Sequence, residues 1–198
     1  MVGLPDIYLQ PSVAGFEYPR RGLPAGVHFI GALPPLPTPY VPERVPAARA
    51  QCKRIVLNTQ GTVANKDLRQ LPAPAMAALA GRDDVPVLAS TGGQPLDAIP
   101  PGLPANAMVA TFLPFDAVMP LVNGLLNNGG NGPVTHASAW GMAIVSGAMG
   151  EDKPEVNARI AWSGAGIHLK ADKLPCRNCE RWCLRCSMAT LAARVRSA

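Results

Sequence analysis

Between residues 53 and 170, short apolar runs alternate with stretches of helical spacing, and this alternation restricts the fold more than any other property of the chain. The runs KRIVLNTQ, VPVLAS, AMVATFLP, VNGLLN and MAIVSG are short and nearly continuous in apolar residues, as strands buried on both faces are. The third is expected to end at Pro114. Between them, NKDLRQLPAPAMAALAG, DAVMPLV, VTHASAWG and EDKPEVNARIAWSG read as helical pieces. Asn65 is the expected N-cap of the first, Pro154 sits near the first turn of the last, and Gly81, Gly141 and Gly164 are the expected stops. Strands that alternate with helices pair in parallel and are covered on both faces. The expected fold class is therefore α/β, a Rossmann-like doubly wound parallel sheet over 51–170.

Residues 1–50 read differently. GLPAGVHFIGALPPLPTPYVPERVP carries a proline every few residues, and each blocks ladder pairing or helix propagation. DIYLQ and VHFIG are two short candidate strands in a proline-rich segment that reads as the exit from a preceding domain. Hydrophobic residues make up 48% of the 198 and charged residues 16%, a folded rather than a disordered composition. The net charge of +5 is spread through the body, and the 5% of aromatic residues do not interleave with a basic run, so a nucleic-acid partner is not expected. No apolar run approaches the ~20 residues that span a bilayer. MVGLPDIYLQ lacks the basic start and apolar centre of a signal peptide. The expected location is cytoplasmic, with the cysteines reduced.

Ligands of open parallel sheets bind beyond the carboxyl ends of the strands. Four loops fall there. TQGTVAN offers Gly61 for close backbone approach and the Thr62 hydroxyl as a donor, or else is a capped turn. TFLPFD places Phe112 where it can stack a planar base, or else in the core. NNGGNGP puts Asn128, Gly129, Gly130, Asn131 and Gly132 before a helix whose first N–H groups favour an anion. GEDKPEV sets Asp152 beside Lys153, a pair able to bind vicinal hydroxyls or simply to cap a helix. The order of these loops, each after its own strand, is more informative than any one of them.

That order resembles the C-terminal half of nucleotide-sugar-dependent glycosyltransferases with two Rossmann-like domains (the GT-B fold), in the branch of macrolide-type and UDP-glycosyltransferases. TQGTVAN, LPANAMVATFLPFDAVMP, NGGNGPVTHA and EDKPEVNARIAWSGAGI carry the likeness, and FEYPRRGLPAGVHFIGALPP resembles the interdomain stretch. The resemblance implies that Phe112 and Leu113 cover the donor base and that Gly61 and Thr62 approach the diphosphate. It implies that Asn128 through Gly132 cradle the phosphates, that His136 stands where a ribose-binding carboxylate is common, and that Asp152 and Lys153 hold sugar hydroxyls. The implied activity is transfer of a hexose from a UDP- or dTDP-sugar to a small-molecule acceptor. The nucleotide sugar is then a co-substrate, with neither cofactor nor metal required. The acceptor pocket and the histidine base belong to the family's N-terminal domain. No catalytic residue is therefore assigned here, and neither His28 nor His168 has the context of that base. The alternative is an inactive nucleotide-sugar-binding remnant, or one subunit of a split enzyme whose acceptor domain is a separate chain. The glycine loop departs from the family at Asn131, Pro133 and Thr135, and Pro133 removes one backbone donor.

Residues 171–198 leave the pattern. CRNCERWCLRC places Cys176, Cys179, Cys183 and Cys186 in two CxxC pairs separated by too few residues for a zinc ribbon. Three readings stand: a metal site, a divergent tail and a shifted reading frame. The last is favoured, because GC-rich codons for this stretch read two bases later give PQLRALVPALLDGDPRR, an amphipathic helix with an Asp-Pro exit.

Overall fold

The structure, a computed structural model, describes residues 6–33, 36, 38, 40–51, 53–147 and 152–169. The cysteine pairs and the shifted-frame reading of the tail lie outside the described residues. In chain order, β1 (Tyr8–Gln10) and β2 (Val27–Phe29) precede α1 (Arg44–Ala50). There follow β3 (Val56–Thr59), α2 (Pro72–Ala78), β4 (Val87–Ser90), β5 (Ala107–Ala110), α3 (Phe115–Val118), β6 (Gly124–Asn127), α4 (Asn131–Ala139), β7 (Ala143–Ser146), α5 (Lys153–Trp162) and β8 (Gly166–His168). β3 to β8 form one sheet in the order β5-β4-β3-β6-β7-β8, and every neighbouring pair is parallel. β1 and β2 pair in parallel as a separate two-stranded sheet. No helix among the described residues is long and apolar enough to cross a membrane.

All five expected strands are present, and β8 joins them at the edge, where its three residues were too few to carry a pattern. β5 stops at Ala110 rather than Pro114 because β4 turns away beyond Ser90, through Gly92 and Gly93 with φ of 65° and 91°. The expected cap of α2 is also corrected. Asn65 is 1% exposed and lies seven residues ahead of the helix. Its side-chain amide donates to the Thr91 and Gly92 carbonyls instead, both at 2.9 Å. The helix starts at Pro72, whose fixed φ suits a first turn and whose ring disfavours helical geometry at Leu71. α1 was not expected among so many prolines. Its Pro46 lies in the first turn, where no intrahelical acceptor waits for its missing N–H.

The pleat divides the core in two. Leu88, Leu57, Leu125 and Ile144 face Val45 of α1, Val134 and Ala137 of α4, and Val156 and Ile160 of α5. Val87, Val56 and Leu126 face Leu68, Leu71 and the Ala75, Met76 and Leu79 side of α2. Leu57, Leu125 and Ile144 are at most 1% exposed, and burying each stabilises the fold by about 1.5–3 kcal/mol.

The β1–β2 segment docks on α5. Phe16 enters the core at 7% exposure, and the Arg159 guanidinium pairs with the Glu17 carboxylate at 2.9 Å. The Tyr18 ring meets Trp162 edge-on at 5.2 Å and lies 5.3 Å below Arg159. The linker that follows is pinned as well, with the Leu33 carbonyl on His136 and the Thr38 N–H donating to Asp116.

Candidate functional site

The chain leaves β3 toward β4 and β5, then returns to lay β6 on the other side of β3. The connections after β3 and β6 therefore diverge, and a crevice opens between them at the carboxyl edge of the sheet. The last rung at that edge is polar. Ser90, Thr59, Asn127, Ser146 and His168 align across five strands, one step beyond the Leu88–Leu57–Leu125–Ile144 rung on the same face. Ser90, Thr59, Asn127 and Ser146 are at most 4% exposed. The core ends in hydroxyls and an amide where the site begins. Neither Asn127 side-chain polar atom has a partner among the described residues, an arrangement that costs free energy unless a ligand or water meets it.

Side chains from each loop lock the next one in place. Gln60, 3% exposed, closes its own loop by donating to the Ala64 and Asp67 carbonyls at 2.9 and 3.2 Å. Its own carbonyl receives the Asn128 side-chain amide at 2.6 Å, which joins the β6 loop to the β3 loop. Asn128 Oδ1 accepts the Gly130 N–H at 3.3 Å. Asn65 joins the β3 loop to the β4 loop, and a Cβ on Gly92 would sit 1.9 Å from the Gly61 carbonyl oxygen. The Gly93 N–H donates to the Thr111 carbonyl at 2.8 Å, which carries the chain of contacts to the β5 loop.

The residues expected at the site divide accordingly. Gly61 and the exposed Thr62 lie on the β3 loop beside Asn128 to Gly132 on the β6 loop, and the two loops are bonded to each other. Asn128 faces inward at 5% exposure, so its side chain shapes the loop and its backbone is what remains for a ligand. Gly129, with φ of 91°, passes over Asn157 of α5, whose Oδ1 would stand 2.1 Å from an added Cβ. Gly130 caps α4, so Asn131 and Gly132 begin its first turn with N–H groups that have no intrahelical acceptor. Asp152 is exposed before α5, whereas Lys153 is 5% exposed and shares a face with Asn157 one turn on.

Phe112, Leu113 and His136 lie apart from these two loops. Phe112 is 63% exposed on the β5 loop, two strands from β3. Leu113 is 3% exposed in the core with Val118 and Met119, so its side chain supports the loop from beneath. His136 is committed to the linker. Its Nε2 donates to the Leu33 carbonyl at 2.7 Å, its ring stands edge-on to Phe115 at 6.4 Å, and its Nδ1 is buried without a partner. Gln60, Asn127 and Asn157 escaped the sequence reading, which took Asn65 only as a helix cap. The signal for the polar rung was present, since Thr59, Ser90, Asn127 and Ser146 each stand at or next to the end of one of the apolar runs.

The site can thus offer backbone amides and hydroxyls to an anionic, hydroxyl-rich ligand. Such a set binds and orients, and it suits stabilisation of a departing phosphate better than proton transfer.

No protein-family model matches the chain. It is 43% identical over 178 residues to 4'-demethylrebeccamycin synthase of Lentzea aerocolonigenes, a match that takes in 89% of this chain and 41% of that one. It is 36% identical over 174 residues to UDP-glycosyltransferase 2 of Phaeomoniella chlamydospora, covering 85% of this chain and 38% of the other. Among solved structures, the glycosyltransferase SnogD from Streptomyces nogalater superposes with a TM-score of 0.76 at 21% identity, over 96% of this chain and 51% of that one. The chain spans about two fifths of the length of the curated relatives it matches.

Proposed function

The chain belongs to the UDP-glycosyltransferase-like glycosyltransferases, as the C-terminal half of their GT-B fold, and from that premise we propose that it seats a nucleotide diphosphate sugar for transfer to a small acceptor. The observation that supports this most is the pair of bonded loops at the switch between β3 and β6. Asn128 holds the glycine loop against Gln60, so the Gly61 loop and the start of α4 address one crevice. A diphosphate there meets the Asn131 and Gly132 N–H groups at a helix N-terminus, an arrangement that favours an anion by about 0.3–1 kcal/mol and more when partly buried. Asn157 of α5 packs under Gly129 and sets the height of the loop. Thr62 and Asp152, both exposed, are the donors and acceptors for phosphate oxygen and sugar hydroxyls. Phe112, exposed on the β5 loop, is the ring that this reading lays along the base.

In the intact enzyme the acceptor oxygen forms its bond to the anomeric carbon as the bond to the diphosphate oxygen breaks. The diphosphate leaves with the electron pair, and the acceptor's proton passes to a base. This half contributes positioning and leaving-group stabilisation. His28 lies on the outer side of the β1–β2 pair and His168 ends β8, so this reading gives neither the role of base. No metal or cofactor enters the scheme; the nucleotide sugar is the co-substrate, of the UDP or dTDP class with a hexose.

Calorimetric titration of the chain with UDP, dTDP and their hexose derivatives tests the reading. Saturable binding is expected, weakened about three- to tenfold by Thr62→Ala or Asp152→Ala, as loss of a single hydrogen bond to a charged or hydroxyl group predicts. Absence of saturable binding by every nucleotide, with the protein folded, would refute it.

A further inference from the structure

A cavity of about 240 Å³ opens at the amino edge of the sheet, the edge opposite the donor crevice. One wall is α1 and the turn that leads from it into β3, through Arg44, Ala48 and Lys53. The other wall is the pair of connections that enter β4 and β5, through Asp83, Pro86 and Asn106. Met108 of β5 also lines it, 8% exposed and in the same core layer as Ala48.

The two walls differ in chemistry. The α1 wall carries two cations, Arg44 and Lys53, and the facing wall carries two acceptors, the Asp83 carboxylate and Asn106 Oδ1. Arg44, Lys53 and Asp83 form no ion pair with one another or with any other described residue. The charges around them are spent elsewhere, Arg54 and Arg82 on Asp84 and Arg49 on the Asn123 side chain. Asn106 is committed as an acceptor on this side. Its Nδ2 donates to the carbonyls of Leu79, Arg82 and Val85 at 2.7, 3.0 and 3.1 Å, so the amide does not turn over. Its Oδ1 is buried with no partner among the described residues, which costs free energy until a donor meets it.

We infer that this cavity binds an α-amino acid with an aliphatic side chain. The carboxylate is held by Arg44 and Lys53, the ammonium by Asp83 and Asn106 Oδ1, and the side chain lies on the apolar surface of Ala48, Pro86 and Met108. An anion alone meets the two cations and leaves both acceptors unsatisfied; a cation alone does the reverse. A molecule with one charge of each sign completes both walls with charge-assisted hydrogen bonds. The volume falls below the about 300–1,000 Å³ of pockets for drug-sized ligands, so it suits a single small molecule and excludes a nucleotide sugar. The site goes beyond the donor-seat reading and does not depend on it.

Titration of the ¹⁵N-labelled chain with L-leucine, 4-methylpentanoate and 3-methylbutylamine, followed by backbone amide shifts, tests this. The three probes share a branched aliphatic body and differ in their charged ends. Leucine is expected to saturate shifts at Lys53 and Asn106, with no change on the β3 and β6 loops. Each single-ended probe should bind about fivefold or more weakly, the acid ahead of the amine because the two cations outnumber the one carboxylate. Arg44→Gln should weaken leucine and the acid about two- to fivefold and spare the amine, as removal of an exposed charge does. Asp83→Asn should weaken leucine and the amine by a similar factor and spare the acid. Asp97→Asn, on the connection after β4, should change none of them. The amide spectrum of each variant reports that the fold is kept. Absence of a saturable leucine shift, equal affinity for the three probes, or the same loss from Asp97→Asn as from Asp83→Asn would overturn the inference.

Discussion

A methyl group at position 129 would stand 2.1 Å from Asn157 Oδ1, on a residue whose φ of 91° an L side chain rarely adopts. Gly129→Ala is therefore expected to lose about 2 kcal/mol or more of stability, from backbone strain and overpacking together. Nucleotide binding should go with it. Adding Asn157→Ala should recover the steric part and leave the strain, so urea denaturation of the two single variants and the double variant should show positive coupling. Full additivity would show that the contact with Asn157 does not set the loop. Asn128 makes a different demand. Its amide donates to the Gln60 carbonyl at 2.6 Å, and an aspartate there would turn a carboxylate on that oxygen. Asn128→Asp should cost about 2–3 kcal/mol at neutral pH, and Asn128→Ala less, because the alanine leaves an acceptor unpaired without adding a charge. At the opposite edge of the sheet, hydrogen bonds from Arg82 and Arg54 hold the Asp84 carboxyl well below the usual carboxylate range. Its folded pKa is depressed, so its contribution is complete above the ordinary carboxylate value near 4 and fades as pH falls further. Asp84→Asn should lower the melting temperature slightly at pH 7, where the paired carboxylate contributes in full, and flatten its dependence on pH below about pH 4.

Among the elements, α4 decides how well an anion is held. Its first turn begins Asn131, Gly132, Pro133, and the proline takes away the third outward-facing donor. Pro133→Ala should restore that N–H and tighten binding of a nucleoside diphosphate about two- to fivefold, while lowering stability slightly through a freer unfolded chain. Calorimetry with UDP or dTDP measures the first effect and chemical denaturation the second; unchanged affinity would place the diphosphate away from this turn. The element pattern itself could be read from the sequence because buried strands of a parallel sheet are nearly continuous in apolar residues. KRIVLNTQ, VPVLAS, VNGLLN and MAIVSG became β3, β4, β6 and β7. Boundaries that depend on tertiary partners could not be read that way. Asn65 has the composition of a cap, yet two carbonyls of the β4 loop take its amide and the helix waits for Pro72. Leu113 follows an exposed aromatic in the loop, and only the packing of α3 shows that it belongs to the core. His136 likewise has the position of a ligand in sequence, while the fold spends its Nε2 on a carbonyl 103 residues away.

For the whole molecule, the question is what orders residues 6–29. Two short parallel strands bury too little to stand alone in water, so β1 and β2 take their order from α5. Arg159 is the joint: it pairs with Glu17 while its guanidinium lies over Tyr18, and the two charged side chains are 16% and 15% exposed. The linker is fastened independently to α4 and α3 through Leu33 and Thr38. Two fastenings, one on α5 and one on α4 and α3, hold the segment in a defined pose against these helices. Arg159→Ala should therefore release 6–29 while leaving β3 to β8 intact. Amide hydrogens of Tyr8, Val27 and Ile30, which bond within and beside the strand pair, should exchange faster by about tenfold or more, with a stability loss of about 1–2 kcal/mol for breaking a partly buried pair. Leu57 and Leu125, in the core, should exchange as before. Arg159→Lys keeps the charge but gives up the flat group that covers Tyr18, and it should fall between the two. If exchange in 6–29 is unchanged by Arg159→Ala, the docking does not run through α5. If the core strands loosen equally, the segment is part of the core rather than fastened onto it.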